Sequence, residues 1–253
     1  MILDVFIICL LFVIGLLLSE LYIILVLRLP KKSLVPNTCD NCNEFYKWYE
    51  LIPIISFLIN RGKCNYCNKK LSLFYPFLEL VTGIIFSLSY IFYGFSYEML
   101  AMLIICSLLI IIYVSDFKYY IISNEPLVIF SFLILLFKFL FFGWRTLLIS
   151  LVSGLIIFLF MYGIRFLGTI IFKKEALGGG DVKLSAFFGF TLGIRLSIVS
   201  LIMSSFLAFP YAIYCSLSKV DKEVPFGPFL ITALLIVFVF MEQIKSFLSI
   251  VFY

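Results

Sequence analysis

The sequence predicts an all-α, polytopic membrane protein, because its composition is too apolar for a water-soluble domain and long apolar runs recur along it. Of its 253 residues, 64% are hydrophobic and 13% are charged, and the mean hydropathy is +1.20. Soluble domains are about 45–50% apolar and about 25% charged. A bilayer core about 30 Å thick takes about 20 apolar residues per helix. We therefore predict about eight transmembrane helices, near residues 3–26, 71–93, 99–115, 126–142, 147–172, 184–192, 196–217 and 229–251.

Two of these runs differ from ordinary spans. The run 184–192 is too short to cross a bilayer alone, which indicates a half-helix or a re-entrant segment. The run 3–26 begins near the N-terminus, but it is longer than the apolar region of a signal peptide and lacks a basic leader and a small-residue cleavage motif. We therefore expect it to be a retained membrane span.

The distribution of Lys and Arg predicts the orientation of the spans, because basic loops stay in the cytoplasm. The polar segment 28–70 holds eight basic residues, and with eight crossings six more fall on the same side. This arrangement places both termini outside and places Asp116 and Asp181 at the cytoplasmic face. The basic residues are spread among loops, so the net charge of +5 indicates topology and contact with membrane lipid rather than nucleic-acid binding.

The polar segment also contains two C-x-x-C pairs separated by 21 residues. Paired knuckles of this kind bring four thiolates around one ion and form a closed, structural zinc site. The alternative is disulfide bonding, which a reducing cytoplasm disfavours. The sequence therefore predicts a cytoplasmic loop stapled by structural Zn²⁺, with Cys39, Cys42, Cys64 and Cys67 as ligands.

Two aspartates lie where predicted spans meet water. Asp181 directly follows the three glycines 178–180 between two apolar runs, and Asp116 follows the run 99–115. A carboxylate at membrane depth costs at least about 2.5–3.5 kcal/mol on insertion scales, so it usually serves transport, proton relay or catalysis. The alternative for either aspartate is a helix cap, because Asp is a favourable N-cap residue and both positions adjoin a predicted helix end.

These features occur in one order along the chain: RLP at 28–30, the double C-x-x-C segment, YPFLE at 75–79, Asp116, GGGDVK at 178–183 and VPFGPF at 224–229. In this order, on a membrane chain of this length, they resemble the type IV prepilin peptidases, which are membrane aspartyl proteases of the G-x-G-D kind. The resemblance covers nearly the full length. It implies a multi-pass protein of the bacterial cell membrane.

The resemblance implies that Asp116 and Asp181 are the catalytic pair. Peptide hydrolysis needs a base that activates water and an acid that protonates the leaving amine, and two close carboxylates that share one proton provide both. Gly178 and Gly180 would support the loop by adopting positive φ and admitting an extended substrate. Lys183 would hold the loop or contact phosphate headgroups. Which aspartate carries the proton is left open at this stage.

The resemblance also implies a second activity. Bacterial members with the cysteine segment methylate the new N-terminus of their substrate with S-adenosylmethionine. Glu79, just inside the second predicted span, is the candidate for that reaction or for positioning the substrate amine, and the alternative is a snorkelling or paired acid at the interface. We therefore predict two parts, residues 1–95 for methyl transfer with the zinc segment and residues 96–253 for peptide hydrolysis.

The substrates implied by the resemblance are prepilins or pseudopilins, which have a basic leader followed by a hydrophobic helix. The alternative function is a polytopic ion-coupled transporter or channel, because broken helices and intramembrane carboxylates also line ion pathways. That class does not predict a zinc knuckle beside two aspartates, and we find no internal repeat to support it. A zinc-stapled scaffold without activity leaves the position of both aspartates unexplained. The pathway and the oligomeric state do not follow from the sequence.

Overall fold

A computed structural model describes residues 2–28, 42, 44, 54–173, 177–217 and 225–251. Within these ranges every regular element is an α-helix, and β pairing is limited to an isolated bridge between Lys63 and Lys70. The all-α prediction is therefore confirmed. The chain packs as two compact units, Met1–Val114 and Ser115–Tyr253. The predicted boundary after residue 95 divides the chain by activity rather than by packing, and it stays a prediction.

Nine helices lie along the described residues. In chain order they are α1 (Ile2–Arg28), α2 (Ile55–Ile59), α3 (Phe74–Tyr93), α4 (Tyr97–Tyr119), α5 (Asn124–Phe172), α6 (Gly179–Leu192), α7 (Ile194–Leu217), α8 (Gly227–Val239) and α9 (Met241–Val251).

Five of these helices, α1, α3, α4, α5 and α7, are long and apolar enough to cross a membrane. The number rises to six if α8 and α9 are taken together as one broken span. The membrane class is thus supported, whereas the predicted number of eight spans is not confirmed.

The first unit depends on a close crossing of α1 and α3. A Cβ atom on Gly15 would lie 2.9 Å from the Cα of Gly83, so neither position has room for a side chain. The Ser87 hydroxyl donates a hydrogen bond across the pair to the carbonyl oxygen of Ile8, at 3.1 Å. In lipid, small residues and interhelical hydrogen bonds replace the hydrophobic effect as the source of helix association. Both kinds of contact therefore hold α1 against α3.

In the second unit, the 49-residue α5 consists of two helical arms joined at Gly143. This residue has φ 78° and ψ −172°, a backbone conformation that favours glycine. The Lys138 ammonium in the first arm donates to the Ser150 hydroxyl in the second at 3.0 Å. Twelve residues of straight helix would span about 18 Å, so the arms fold back on each other. The break separates the two predicted runs 126–142 and 147–172.

The short helix α6 packs against α5 and agrees with the predicted short sixth element. Its 14 residues extend about 21 Å, less than the bilayer core. A Cβ atom on Gly189 would lie 2.5 Å from the Cα of Gly154 in α5. Near the far end of α6, Lys138 also donates to the Thr191 carbonyl oxygen at 3.0 Å, which places a cation at the negative end of the helix dipole.

The last predicted run, 229–251, consists of two helices rather than one, and its crossing of the membrane as one span stays a prediction. α8 and α9 meet at Phe240, which has φ −96° and ψ 23°, and the two helices are bent by 78°. α8 is buried, with five side chains that are wholly inaccessible: Leu230, Ile231, Ala233, Leu234 and Val237. α9 instead carries polar residues along one side. The change from an apolar to an amphipathic sequence coincides with the bend.

The α5–α6 crossing gives a stability prediction. We expect Gly189→Ala to lower the free energy of unfolding by about 1–3 kcal/mol, because the new methyl group meets the backbone of Gly154, which cannot rotate away. The matched control is Gly163→Ala in α5, where a Cβ atom would meet nothing within 4 Å. Thermal unfolding in detergent measures both variants, and equal stability for the two would contradict the close crossing.

Candidate active site

Asp116 lies in the last turns of α4 and is 6% exposed. Its Oδ2 accepts a hydrogen bond from the backbone N–H of Gly227, the first residue of α8, at 3.0 Å. The first N–H groups of a helix have no partner within the helix and carry its positive dipole end. Asp116 therefore does cap a helix, but the helix is α8, 111 residues further along the chain. The VPFGPF stretch thus contributes a backbone donor to the site.

Asp181 lies in the first turn of α6 and is 8% exposed. The N-cap of that helix is Gly178, in extended conformation, so Asp181 does not occupy the N-cap position that the alternative interpretation gave it. An acidic residue in the first turn is favoured by the helix dipole. Its side chain is nevertheless buried, whereas a residue that only caps a helix end can stay exposed to solvent.

The two carboxyl groups are close enough to affect each other. Burial raises the pKa of Asp181, the negative charge of Asp116 raises it further, and the backbone of Gly178 lowers it, so that it reaches about 7 instead of the ordinary 3.8. Like charges that share a site disfavour the doubly ionised form. Near neutral pH this pair can therefore hold one proton between two carboxylates, the state in which one group acts as a base and the other as an acid.

The glycines of the turn serve close packing rather than an unusual backbone. The expectation of positive φ is wrong, since Gly178 has φ −62° and Gly180 is helical. A Cβ atom on Gly178 would lie 3.0 Å from Oδ2 of Asp181, and one on Gly180 would lie 2.8 Å from the Cβ of Ile122. The missing side chains therefore let the turn approach both the carboxylate and the segment between α4 and α5.

One basic side chain contacts the same turn, and a second, two residues after Asp181, bonds to the start of α5. A Cβ atom on Gly179 would lie 3.1 Å from Nη1 of Arg165, so the middle glycine makes room for a guanidinium group from α5. The ammonium group of Lys183 donates to Oδ1 of Asn124, at the start of α5, at 2.9 Å. This bond fits the expectation that Lys183 holds the loop. Arg165 and Asn124 were not predicted as site residues, and the one signal for Arg165 is its isolation in an apolar run.

Three of the four predicted metal ligands lie in one cluster of the first unit. The Sγ atoms of Cys42, Cys64 and Cys67 are within 4.8 Å of one another, and those of Cys42 and Cys64 are 4.0 Å apart. A disulfide bond is about 2.05 Å long, whereas two thiolates on one tetrahedral zinc ion are about 3.8 Å apart for Zn–S bonds of about 2.3 Å. The cluster can therefore hold a metal ion. Cys39 lies outside the described residues.

The backbone around Cys64 forms the turn that such a cluster needs. The N–H of Cys64 donates to the Lys69 carbonyl oxygen at 2.9 Å, and the Cys64 carbonyl oxygen accepts from the N–H of Asn68 at 3.0 Å. These bonds close a loop that carries Cys64 and Cys67 on the same side. The C-x-x-C spacing of Cys64 and Cys67 therefore folds as a compact knuckle.

A second pair of acids lies in the first unit, away from the cysteines. Glu79 in α3 is 4% exposed, and its Oε2 accepts a hydrogen bond from the N–H of Ile54 at 2.8 Å. Its carboxyl group also forms a hydrogen bond with that of Glu20 in α1. Glu79 is thus a paired acid, as the alternative interpretation held. The partner Glu20 was not predicted as a site residue.

Two family models match successive parts of the chain. The model of the bacterial Peptidase A24 N-terminal domain matches residues 13–93, and the model of the type IV leader peptidase family matches residues 103–213. No solved structure matches the chain.

Two curated relatives cover nearly the whole chain. The prepilin leader peptidase/N-methyltransferase of Bacillus subtilis (strain 168) is 30% identical over 245 residues, which are 94% of this chain and 96% of that protein. A protein of the same name from Vibrio cholerae is 26% identical over 244 residues, or 89% and 94% of the two chains. On these matches the chain is an enzyme, and it belongs to the type IV leader peptidase family.

Proposed function

We propose that this chain is an aspartyl endopeptidase that removes the leader of prepilin-like substrates, with Asp116 and Asp181 as the catalytic pair. The observation that carries the proposal is the burial of both carboxyl groups close together at two helix ends of one unit, where the charge of Asp116 raises the pKa of Asp181. The sequence relatives add support, because their names specify prepilin leader peptidases.

The two aspartates take different roles in this proposal. Asp116 accepts the Gly227 N–H at the positive end of α8, which stabilises its ionised form, so it is the base that activates water. Asp181 has a pKa of about 7 and is the acid that protonates the leaving amine. As the reaction proceeds the proton passes from one carboxyl group to the other, which restores the pair after product release. No metal ion is needed at the aspartates.

The substrate enters from the bilayer in this proposal. A prepilin-type substrate has a hydrophobic helix after its cleavage site, and that helix packs against the membrane helices of the enzyme. Its basic leader stays in the cytoplasm, on the side where the basic loops of this chain are predicted to lie. The scissile bond then lies at the cytoplasmic face of the cell membrane, beside the GGGD turn that carries Asp181.

We further propose that the first unit methylates the new N-terminus of the substrate, with S-adenosylmethionine as methyl donor. The names of the relatives include N-methyltransferase. Methylation of an amine requires that its nitrogen lose a proton, and a buried carboxylate can hold the ammonium group and accept that proton. Glu79 is the acid placed for this role, with Glu20 and the Ile54 N–H holding its carboxyl group.

The cysteine cluster holds structural Zn²⁺ in this proposal. Cys42, Cys64 and Cys67 would supply three thiolates and Cys39 the fourth, which completes a closed site without an open position for catalysis. The ion would tie residue 42 to the knuckle that precedes α3. Its role is therefore to order the segment that leads to Ile54 and Glu79, rather than to take part in either reaction.

The first prediction concerns the catalytic pair. We expect Asp116→Asn and Asp181→Asn each to lower the rate of leader release by at least about 10²-fold, because general acid–base catalysis contributes about 10²–10⁴-fold. The matched control is Glu242→Gln, which removes an exposed acid of the same unit and leaves the rate unchanged. The assay uses purified enzyme in detergent and a prepilin-like peptide that includes the hydrophobic helix.

The same assay tests the pH dependence. Asp181 loses its proton as the pH rises through about 7, so cleavage falls on the alkaline side of that pH. The raised pKa also means that the folded state binds this proton more tightly than the unfolded chain, so stability falls as the pH rises from about 4 to about 7.

Full activity in either aspartate variant contradicts the assignment of Asp116 and Asp181 as the catalytic pair. Ion flux in vesicles without any cleavage favours the alternative, a transporter or channel.

The second prediction separates the two activities. We expect Glu79→Gln to lower methyl transfer by at least about 10²-fold and to leave leader release within about twofold, because Glu79 belongs to the first unit and both aspartates belong to the second. The measurement follows transfer of a labelled methyl group and leader release in one reaction. Glu98→Gln is the control acid in the first unit. Loss of both activities, or of neither, contradicts the assignment.

The third prediction concerns the metal. We expect one Zn²⁺ per chain and its loss in Cys64→Ser, because Cys64 is a buried member of the cluster. The matched control is Cys106→Ser, which replaces a buried cysteine of the same unit outside the cluster. Elemental analysis of the purified variants gives the stoichiometry. Unchanged zinc content in Cys64→Ser, or loss of zinc in Cys106→Ser, rejects the proposed ligand set.

A further inference from the structure

Measured along the direction of α8, the C-terminal helices α8 and α9 together are too short to cross a bilayer. α8 has 13 residues and α9 has 11, so they extend about 20 Å and about 16 Å. With the bend of 78°, α9 adds only about 3 Å along the direction of α8. The sum is well below the core thickness of about 30 Å. A span formed by this pair would leave part of the core uncrossed.

The sequence of α9 is amphipathic, in contrast to that of α8. At about 100° per residue, Glu242, Lys245 and Ser249 fall on one side of the helix, and the first two form an exposed ion pair at 2.9 Å. The opposite side carries Ile244, Phe247 and Leu248. A helix with one charged side and one apolar side suits the boundary between headgroups and acyl chains rather than the hydrocarbon core.

The apolar side of α9 is only partly covered by protein. Phe247 is 64% exposed and Phe240, at the bend, is 51% exposed. α9 contacts α7 as well as α8, and α7 also presents large apolar side chains outward, among them Phe206 and Leu217. Both α7 and α9 therefore present apolar surface that the described protein does not cover. A lipid surface is the partner that covers both.

We propose that α9 is an interfacial helix that lies in the plane of the membrane, with its apolar side in the acyl-chain boundary and its Glu242–Lys245 side in the headgroup layer. The chain then does not cross the bilayer after α8. α8 begins at Gly227, whose N–H donates to Asp116, and it is about 20 Å long. Anchoring its other end at one boundary therefore holds the Asp116 carboxylate at a set depth, about 10 Å inside the opposite boundary of a core about 30 Å thick. The proposal does not depend on the function of the aspartates.

The test compares the depths of tryptophans placed seven residues apart, which lie on nearly the same side of a helix. The tryptophans Trp48 and Trp144 are first replaced with Phe. Phe240→Trp and Phe247→Trp then report on α9, and Leu3→Trp and Leu10→Trp, at two exposed positions in the first half of α1, form the matched control pair on a candidate span. Each variant is reconstituted in vesicles of zwitterionic and anionic phospholipid, with bromine at a series of acyl-chain positions as quencher.

We expect the two α9 tryptophans to be quenched at depths within about 3 Å of each other, both near the headgroups, and the two α1 tryptophans to differ by about 10 Å, the rise of seven helical residues. A difference of about 10 Å for the α9 pair overturns the proposal, because α9 then continues across the membrane. Equal depths near the bilayer centre, or no quenching at all, overturn it as well.

A second pair keeps the test decisive if Phe247→Trp misfolds. Gln243 and Ile250 are also seven residues apart, and both are exposed, the latter at 75%, so Gln243→Trp and Ile250→Trp disturb little packing. A thermal unfolding transition in detergent at the temperature of the unsubstituted chain shows that each variant is folded. If α9 is interfacial, Gln243→Trp and Ile250→Trp report equal depths, both within the boundary between headgroups and acyl chains. Depths that differ by about 10 Å overturn the proposal.

Discussion

The hydrogen bond from the Gly227 N–H to Asp116 joins the end of one membrane helix to the start of another, and the remaining site geometry depends on it. A carboxylate that is 6% exposed needs a donor, because an unpaired buried charge is far more costly than a paired one. The start of α8 supplies that donor at 3.0 Å together with a favourable dipole. Burial raises the pKa of Asp181, and the negative charge of Asp116 raises it further. Each aspartate therefore has its own backbone partner, Gly227 for Asp116 and Gly178 for Asp181, and the two carboxyl groups act on each other.

Glycines provide the packing that brings these groups together. Gly189 and Gly154 let α6 approach α5, and Gly180 lets the turn approach Ile122. In a lipid environment the hydrophobic effect does not drive helices together, so such contacts determine where helices cross. The turn motif and the helix crossings therefore use glycine for the same reason, the close approach of backbone to a neighbour. The buried Lys138 adds a polar tie between both arms of α5 and the end of α6.

Several elements were predictable because their signals are local. The length and apolarity of a run indicate a membrane helix, and two C-x-x-C pairs indicate a thiolate cluster. The break at Gly143 coincides with the gap between two apolar runs. The bend within the run 229–251 was not predicted, because hydropathy records composition and not direction, so a bend of 78° at Phe240 left no signal in the average. Positive φ was expected for Gly178 and Gly180 because glycine permits it, yet both positions need space instead.

The sequence by itself determined the protein class, the candidate spans, the ligand types of the metal cluster and the two aspartates, since each depends on composition or short spacing. Only the tertiary structure decided which groups meet: Gly227 with Asp116, Arg165 with Gly179, and Glu20 with Glu79. These contacts join residues 14 to 111 positions apart. Their formation depends on how helices cross and bend, because the packing of distant side chains and not any local propensity sets those angles.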